Sequence, residues 1–181
     1  MIILACATER ELREMLAGLE KPVENGAVRV AGCRILPCVT GVGPVAAGIS
    51  AGEALARHPE ATGMINAGIC GSFDPERFPL GGICVARKEV WPEYGVRTDV
   101  ETTPLDYPMF PDMELDAANE LRLDPVFCAG EMNLRLPEAW SQGVSLTVAG
   151  VSGCPGRADF LRERYGAATE NMELTAYRER R

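Results

Sequence analysis

Short apolar runs that stop at a glycine or a hydroxyl side chain constrain this chain more than any other feature. Ile2-Ile3-Leu4-Ala5-Cys6-Ala7 stops at Thr8, residues 64–67 stop at Gly68, and residues 145–151 stop at Ser152. Unbroken rather than alternating apolar character suits a strand buried on both faces, as in parallel sheets. Helical patterns lie between the runs. Leu12, Met15, Leu16 and Leu19 fall at helical spacing, and Val45, Ile49 and Leu55 give a second helix an apolar side. That helix carries Ala47, Gly48, Ala51 and Gly52 on a small-residue side suited to close packing. A third helix, Arg157 to Tyr165, closes at Gly166. Strands alternating with helices predict an α/β fold with a central, mostly parallel sheet flanked by helices. With 181 residues, 46% of them hydrophobic, and no repeat or linker, residues 1–181 are expected to form a single domain.

Thr8, with Glu11 three residues on, is a capping-box start for the first helix. Ala27 to Val30 and Cys33 to Thr40 read as strands, and Pro37 suits an edge or bulge better than a central position. Gly82 to Ala86 is a further strand. Residues 92–112, with Pro92, Pro104, Pro108 and Pro111, read as a long loop that covers a pocket or forms a contact surface. Asp112 to Leu123 reads as a helix ended by Asp124-Pro125, and Ser152 to Gly156 as a turn. Ala167 to Thr169 reads as a strand leading into Glu170-Asn171-Met172-Glu173.

A net charge of −8 argues against nucleic acid as a partner. No apolar run reaches membrane-spanning length, so no membrane is expected. The seven cysteines form no C-x-x-C pair and read as small core residues in a reducing, cytoplasmic compartment. A single histidine, His58, argues against a zinc site, and no metal is expected. Gly41-Val42-Gly43-Pro44-Val45-Ala46 matches a dinucleotide fingerprint between strand and helix. The next strand, however, ends at Asn66-Ala67-Gly68 without the acidic residue that would hold the ribose, and Pro44 removes an N–H from the helix start. No cofactor is expected.

Gly68-Ile69-Cys70-Gly71-Ser72-Phe73 follows a strand, where glycines let backbone N–H groups approach a ligand. A packing turn without a ligand is the other reading. Glu11 follows the first strand and Glu173 the last. Two carboxylates across a pocket suit glycosidic cleavage: one activates water while the other grips the sugar hydroxyls. A capping residue at Glu11 and a solvated carboxylate at Glu173 are the structural alternatives.

Taken together, Ala7-Thr8-Glu9-Arg10-Glu11, Thr40-Gly41-Val42-Gly43-Pro44, Asn66 to Phe73 and Glu170-Asn171-Met172-Glu173 resemble the nucleoside phosphorylase and nucleosidase superfamily. Leu80 to Ala86 leading to Glu89-Val90-Trp91, and Val151-Ser152-Gly153, support the likeness. It is greatest to the futalosine hydrolases, menaquinone-pathway relatives of the methylthioadenosine/adenosylhomocysteine nucleosidases. The resemblance implies a phosphorylase/hydrolase-like three-layer sandwich and an N-ribosidic hydrolase that cleaves futalosine to dehypoxanthine futalosine and hypoxanthine. A methylthioadenosine-type nucleosidase and a nucleoside phosphorylase are the alternatives. It implies that Glu11 positions the attacking water and that Ile69 to Phe73 lie beside ribose. Met172 and Glu173 would contact the sugar, with Glu173 binding its hydroxyls. The partner would be a small purine nucleoside, and the protein a homodimer or larger homo-oligomer. Asn66 stands where phosphorylase relatives place an arginine for phosphate, which favours water as the acceptor. The family continues past the Met-Glu pair into a further strand and helix, with an aspartate that protonates the leaving purine. This chain ends at Arg181, so those elements are expected to be lacking and turnover to be slow or absent, leaving a nucleoside- or partner-binding remnant as a third reading.

Overall fold

Unbroken apolar strands become the centres of two separate sheets. The structure, a computed structural model, describes residues 1–17, 26–30, 32–99, 101–107 and 118–173. In chain order it begins with β1 (Ile2–Cys6), α1 (Glu9–Met15), β2 (Val28–Val30), β3 (Cys33–Val39), α2 (Pro44–Arg57) and β4 (Gly63–Asn66). It continues with β5 (Gly71–Ser72), β6 (Cys84–Val90), β7 (Val96–Arg97), β8 (Thr102–Thr103) and β9 (Glu120–Arg122). Then follow α3 (Pro125–Glu131), β10 (Ser141–Thr147), α4 (Pro155–Tyr165) and β11 (Ala167–Asn171). The chain divides into two compact units. Of the described residues, one unit takes those within 1–69 and 128–134 together with Glu173, and the other those within 70–127 and 135–172.

The first unit holds a four-stranded sheet in the order β2-β3-β1-β4. β1 is parallel to both β3 and β4, with Ile2 opposite Ile35 on one side and Gly63 on the other. Ile3 and Ala5 are fully buried and pack with Ala51 and Met64. Pro37 lies in β3 opposite Leu4. β2 pairs only with Cys33 to Ile35, so among the described residues no strand lies beside Pro37 on the far side of β3. Gly43, at φ 94°, precedes Pro44 at the start of α2. Of the small-residue side only Ala47 and Ala51 are buried, whereas Gly48 and Gly52 are exposed, as are Val45 and Ile49 of the expected apolar side. A Cβ at Gly63 would collide with the Met132 side chain, so β4 starts at the residue that leaves room for it.

The second unit holds a five-stranded sheet, β5-β11-β10-β6-β9, and the small β7-β8 ladder. Its centre is parallel: β10 lies between β6 and β11. Two bulges flank the middle of β10. Gly143 and Val144 pair with Ala86 and Lys88, leaving Arg87 extra in β6. Val144 and Ser145 pair with Ala167 and Thr169, leaving Ala168 extra in β11. A Cβ on Gly143 would lie 2.5 Å from the Ala168 Cβ, so the glycine makes the second bulge possible. One face of this sheet carries Val90, Val144, Leu146 and Ala167, packed with Phe73 and with Leu161, Ala158 and Tyr165 of α4. Gly166, at φ 60°, ends α4.

Several expectations change. The third apolar run forms its strand at residues 141–147, and residues 149–151 are an exposed loop. Asp124-Pro125 opens α3 rather than ending a helix, because Asp124 Oδ1 accepts the Phe127 N–H at 2.9 Å. Residues 120–122 pair antiparallel with Lys88 to Val90 as a strand, and residues 108–117 lie outside the described residues. The loop at 92–112 contains the β7-β8 ladder. Pro155-Gly156 begins α4 instead of finishing a turn. Of the seven cysteines, all free, only Cys6 is buried; Cys70 and Cys154 are exposed.

Candidate functional site

In the first unit, β1 and β4 are parallel neighbours, so their carboxyl ends lie side by side. Ligands in α/β sheets bind beyond such ends. Thr8, just past β1, caps α1 with a complete capping box. The Thr8 N–H donates to Glu11 Oε2 at 2.9 Å and the Thr8 hydroxyl to the same oxygen at 2.7 Å, while the Glu11 N–H donates to Thr8 Oγ1 at 3.2 Å. Just past β4, the Ile69 N–H donates to Glu11 Oε1 at 3.1 Å. A Cβ on Gly68 would stand 3.0 Å from that same oxygen, so this loop approaches the carboxylate closely because Gly68 has none. These bonds occupy Oε2 twice and Oε1 once. A carboxylate has about four acceptor positions, so Oε1 retains one for an O–H donor such as water. Glu11 is therefore a capping residue whose second oxygen also reaches the loop after β4. Next to it, the Cys6 thiol is pushed up to about 11, by burial first and by the Glu11 charge second, which leaves it protonated and inert. Glu173 meets Asn66 through its backbone: the Asn66 side-chain amide donates to the Glu173 carbonyl.

In the second unit, the glycine-rich loop is drawn into the sheet. Gly71 and Ser72 form β5 and pair antiparallel with Glu170 and Thr169. Phe73 is buried in the apolar cluster and its N–H donates to the Ala168 carbonyl at 2.9 Å. Met172 packs against the same cluster. Cys70, Gly71 and Ser72 are exposed. The structure thus brings Glu11 together with Gly68 and Ile69, the Glu173 main chain with Asn66, and Phe73 and Met172 with a common core.

Two carboxylates beyond the predicted pair are also held in place. Glu170, 5% exposed, accepts the Ser152 N–H at 2.8 Å on Oε1 and the Ser152 hydroxyl at 2.9 Å on Oε2, tying the loop after β10 to β11. Glu89, also 5% exposed, lies on the other face of the sheet. Its Oε1 accepts from the Thr147 hydroxyl at 2.7 Å and from Asn171 Nδ2 at 2.8 Å. Burial pushes this carboxyl above its ordinary range, opposed by hydrogen bonds from Thr147, Asn171 and Ser145. The sequence offers one weak signal for both, a carboxylate inside an otherwise strand-like run. Among the described residues no group of three or more His, Cys, Asp or Glu side chains could hold a metal ion, and no helix is long and apolar enough to cross a membrane.

Comparison with known proteins gives a consistent result. The family model of the phosphorylase superfamily matches residues 2–177. The chain is similar in structure to a futalosine hydrolase mutant of Helicobacter pylori strain 26695, with 16% identity and a TM-score of 0.62, over 94% of this chain and 78% of that one. It is also similar to the 5'-methylthioadenosine/S-adenosylhomocysteine nucleosidase of Neisseria meningitidis in complex with methylthio-immucillin-A. There the identity is 18% and the TM-score 0.67, over 96% of this chain and 75% of that one. The corresponding nucleosidase of Helicobacter pylori, bound to butyl-thio-DADMe-Immucillin-A, matches at 17% identity and a TM-score of 0.64, over 96% and 75% of the two chains. No curated protein matches the chain.

Proposed function

The chain belongs to the phosphorylase superfamily, and from that premise we propose that it is a purine nucleoside N-glycosidase that uses water as the acceptor. The observation that carries this reading is the Glu11 carboxylate, fixed by Thr8 and turned towards the Ile69 N–H with one acceptor position left over. Glu11 orients and deprotonates water for attack at the anomeric carbon as the C–N bond to the base breaks, and the departing base takes up a proton from solvent. Glu173 holds the ribose hydroxyls as the sugar becomes cationic, and Met172 lies against the sugar. Gly68 and Ile69 line the ribose side of this site. Asn66 supports hydrolysis over phosphorolysis: its amide is engaged by the Glu173 carbonyl, and an amide brings no counter-charge for a phosphate dianion.

Within this class the reading is a futalosine hydrolase, releasing hypoxanthine and dehypoxanthine futalosine in menaquinone synthesis. The likeness to the Neisseria meningitidis nucleosidase favours methylthioadenosine as the second candidate. Residues 1–181 act as one phosphorylase-type domain, in a cytoplasmic enzyme that pairs with a second copy of itself. The exposed Val45 and Ile49, spaced one helical turn apart on α2, support that pairing.

Incubating the purified protein with futalosine, with methylthioadenosine, and with inosine with and without phosphate separates the readings. Release of hypoxanthine from futalosine without phosphate is expected. Adenine release from methylthioadenosine alone moves the assignment to the second candidate. Base release only when phosphate is present overturns the hydrolase reading, and absence of both turnover and nucleoside binding overturns the whole class.

A further inference from the structure

We propose that Glu89 is a positioning residue for the Met172-Glu173 pair: across β10, it holds the last residue of β11 and so fixes where the chain leaves the sheet. The proposal rests on the N-glycosidase reading, in which that pair contacts the sugar. Four polar residues from three parallel strands share one face here. Glu89 is next to last in β6, Ser145 and Thr147 are in the second half of β10, and Asn171 ends β11. Glu89 Oε1 accepts from Thr147 and from Asn171 Nδ2, and the same Asn171 amide donates to Ser145 Oγ at 2.8 Å. The Asn171 main chain is held as well, its carbonyl accepting the Val148 N–H at 2.8 Å. Asn171 is thereby fixed by side chain and backbone at the last position before Met172.

Packing does not explain this cluster. The opposite face of the same strands, with Val90, Val144 and Leu146, already supplies the apolar core. A carboxyl taken out of water is expensive, and an apolar side chain of similar size would pack there at less cost. A hydrogen-bonded polar group gives directional restraint that apolar contacts do not. Glu89 Oε1 has lone pairs for both bonds, and Asn171 is the neighbour with amide protons to give. The amide of Asn171 is therefore oriented by Glu89, and Met172 is directed from it into the apolar cluster on the other face.

The test exchanges the two groups. Asn171→Asp sets a carboxylate against Glu89, and Glu89→Gln with Asn171→Asp restores a carboxylate–amide pair with the roles reversed. Binding of futalosine and inosine is measured by calorimetry, turnover by base release, and folding by thermal unfolding. Asn171→Asp is expected to raise KM and Kd by about tenfold, with kcat changed much less, and the double variant to recover to within about threefold of wild type. Glu89→Ala is expected to weaken binding similarly, and Glu89→Gln, which keeps an acceptor oxygen, to bind nearly as the wild type does. Folded Asn171→Asp that binds like wild type, or a double variant no better than the single, overturns the proposal. If Glu89→Ala does not fold, the exchange pair still decides. A wild-type protein that binds neither nucleoside removes the N-glycosidase reading and this proposal with it. Wild-type binding that the variants leave untouched removes this proposal alone.

Discussion

Glu11 Oε1 lies 3.1 Å from the Ile69 nitrogen, 58 residues further along the chain. The parallel register that sets Ile2 opposite Gly63 carries both residues to the same end of the sheet, one just past β1 and one just past β4. One carboxylate therefore closes a helix start and reaches a glycine-bordered loop. Its second oxygen is what separates it from an ordinary capping residue.

Glu11→Gln keeps a capping-box side chain, since glutamine serves at that position as well. The fold should be retained. Loss of the base should lower kcat by about 10²–10⁴-fold. Steady-state kinetics beside a thermal unfolding curve checks both; an unchanged kcat would remove Glu11 from the chemistry.

Gly68→Ala puts a methyl group 3.0 Å from Glu11 Oε1, tighter than ordinary contact. The carboxylate is expected to give way by a few tenths of an ångström, which loosens its bond to Ile69. A loss of about tenfold in kcat/KM, roughly 1.4 kcal/mol of transition-state stabilisation, is expected with little change in thermal stability. Equal kinetics for the variant would mean that the loop yields instead.

Gly143→Ala tests the bulge in β11. Its methyl would stand 2.5 Å from Ala168 Cβ and 3.2 Å from the Phe78 ring, inside the sheet. Overpacking of this kind should destabilise by about 1–3 kcal/mol, read as a lower urea midpoint at unchanged slope. A variant as stable as wild type would show that the bulge relaxes freely.

Glu89 makes stability depend on pH with a definite sign. Its folded pKa is raised, so the folded state holds the proton more tightly than the unfolded chain, whose carboxyl titrates near about 4.3. Its burial penalty is absent below that pH and grows as pH rises through the folded value. Glu89→Gln has no such penalty. Its stability relative to wild type should climb with pH and then level off, and urea unfolding of both proteins from pH 4 to pH 8 reads this. Parallel curves would show that Glu89 does not titrate in this way.

Val45 and Ile49 are 74% and 68% exposed on α2. If this stripe pairs with a second copy, Val45→Glu with Ile49→Glu should convert a dimer to a monomer in light scattering, with the circular dichroism spectrum unchanged. A wild-type monomer at micromolar concentration, or a double variant of unchanged mass, counts against the pairing.

Much of the local structure is legible in the sequence because its causes are local. Thr8 and Glu11 sit three residues apart, and no distant partner is needed to make them a capping box. Gly166 ends α4 because glycine takes the left-handed conformation without penalty. Pro37 announces a stretch of β3 that, among the described residues, β2 does not reach. Glu120-Leu121-Arg122 carries no strand signal of its own, and it becomes one by pairing with β6, where Lys88 Nζ lies 2.9 Å from Glu120 Oε2.

Side-chain facing in the second sheet belongs to the tertiary structure alone. Strict alternation along β6 places Lys88, not Glu89, on the face of Cys84 and Ala86. The extra residue Arg87 reverses that phase, so that Glu89 comes opposite Ser145, and the extra Ala168 does the same for Asn171 opposite Thr147. Sequence by itself determined the α/β class, the helix boundary at Thr8 and the run that becomes β1. Which carboxylates face inward was decided by two bulges, and a bulge depends on how neighbouring strands fit together at Gly143, a relation between residues far apart in the chain that no local pattern encodes.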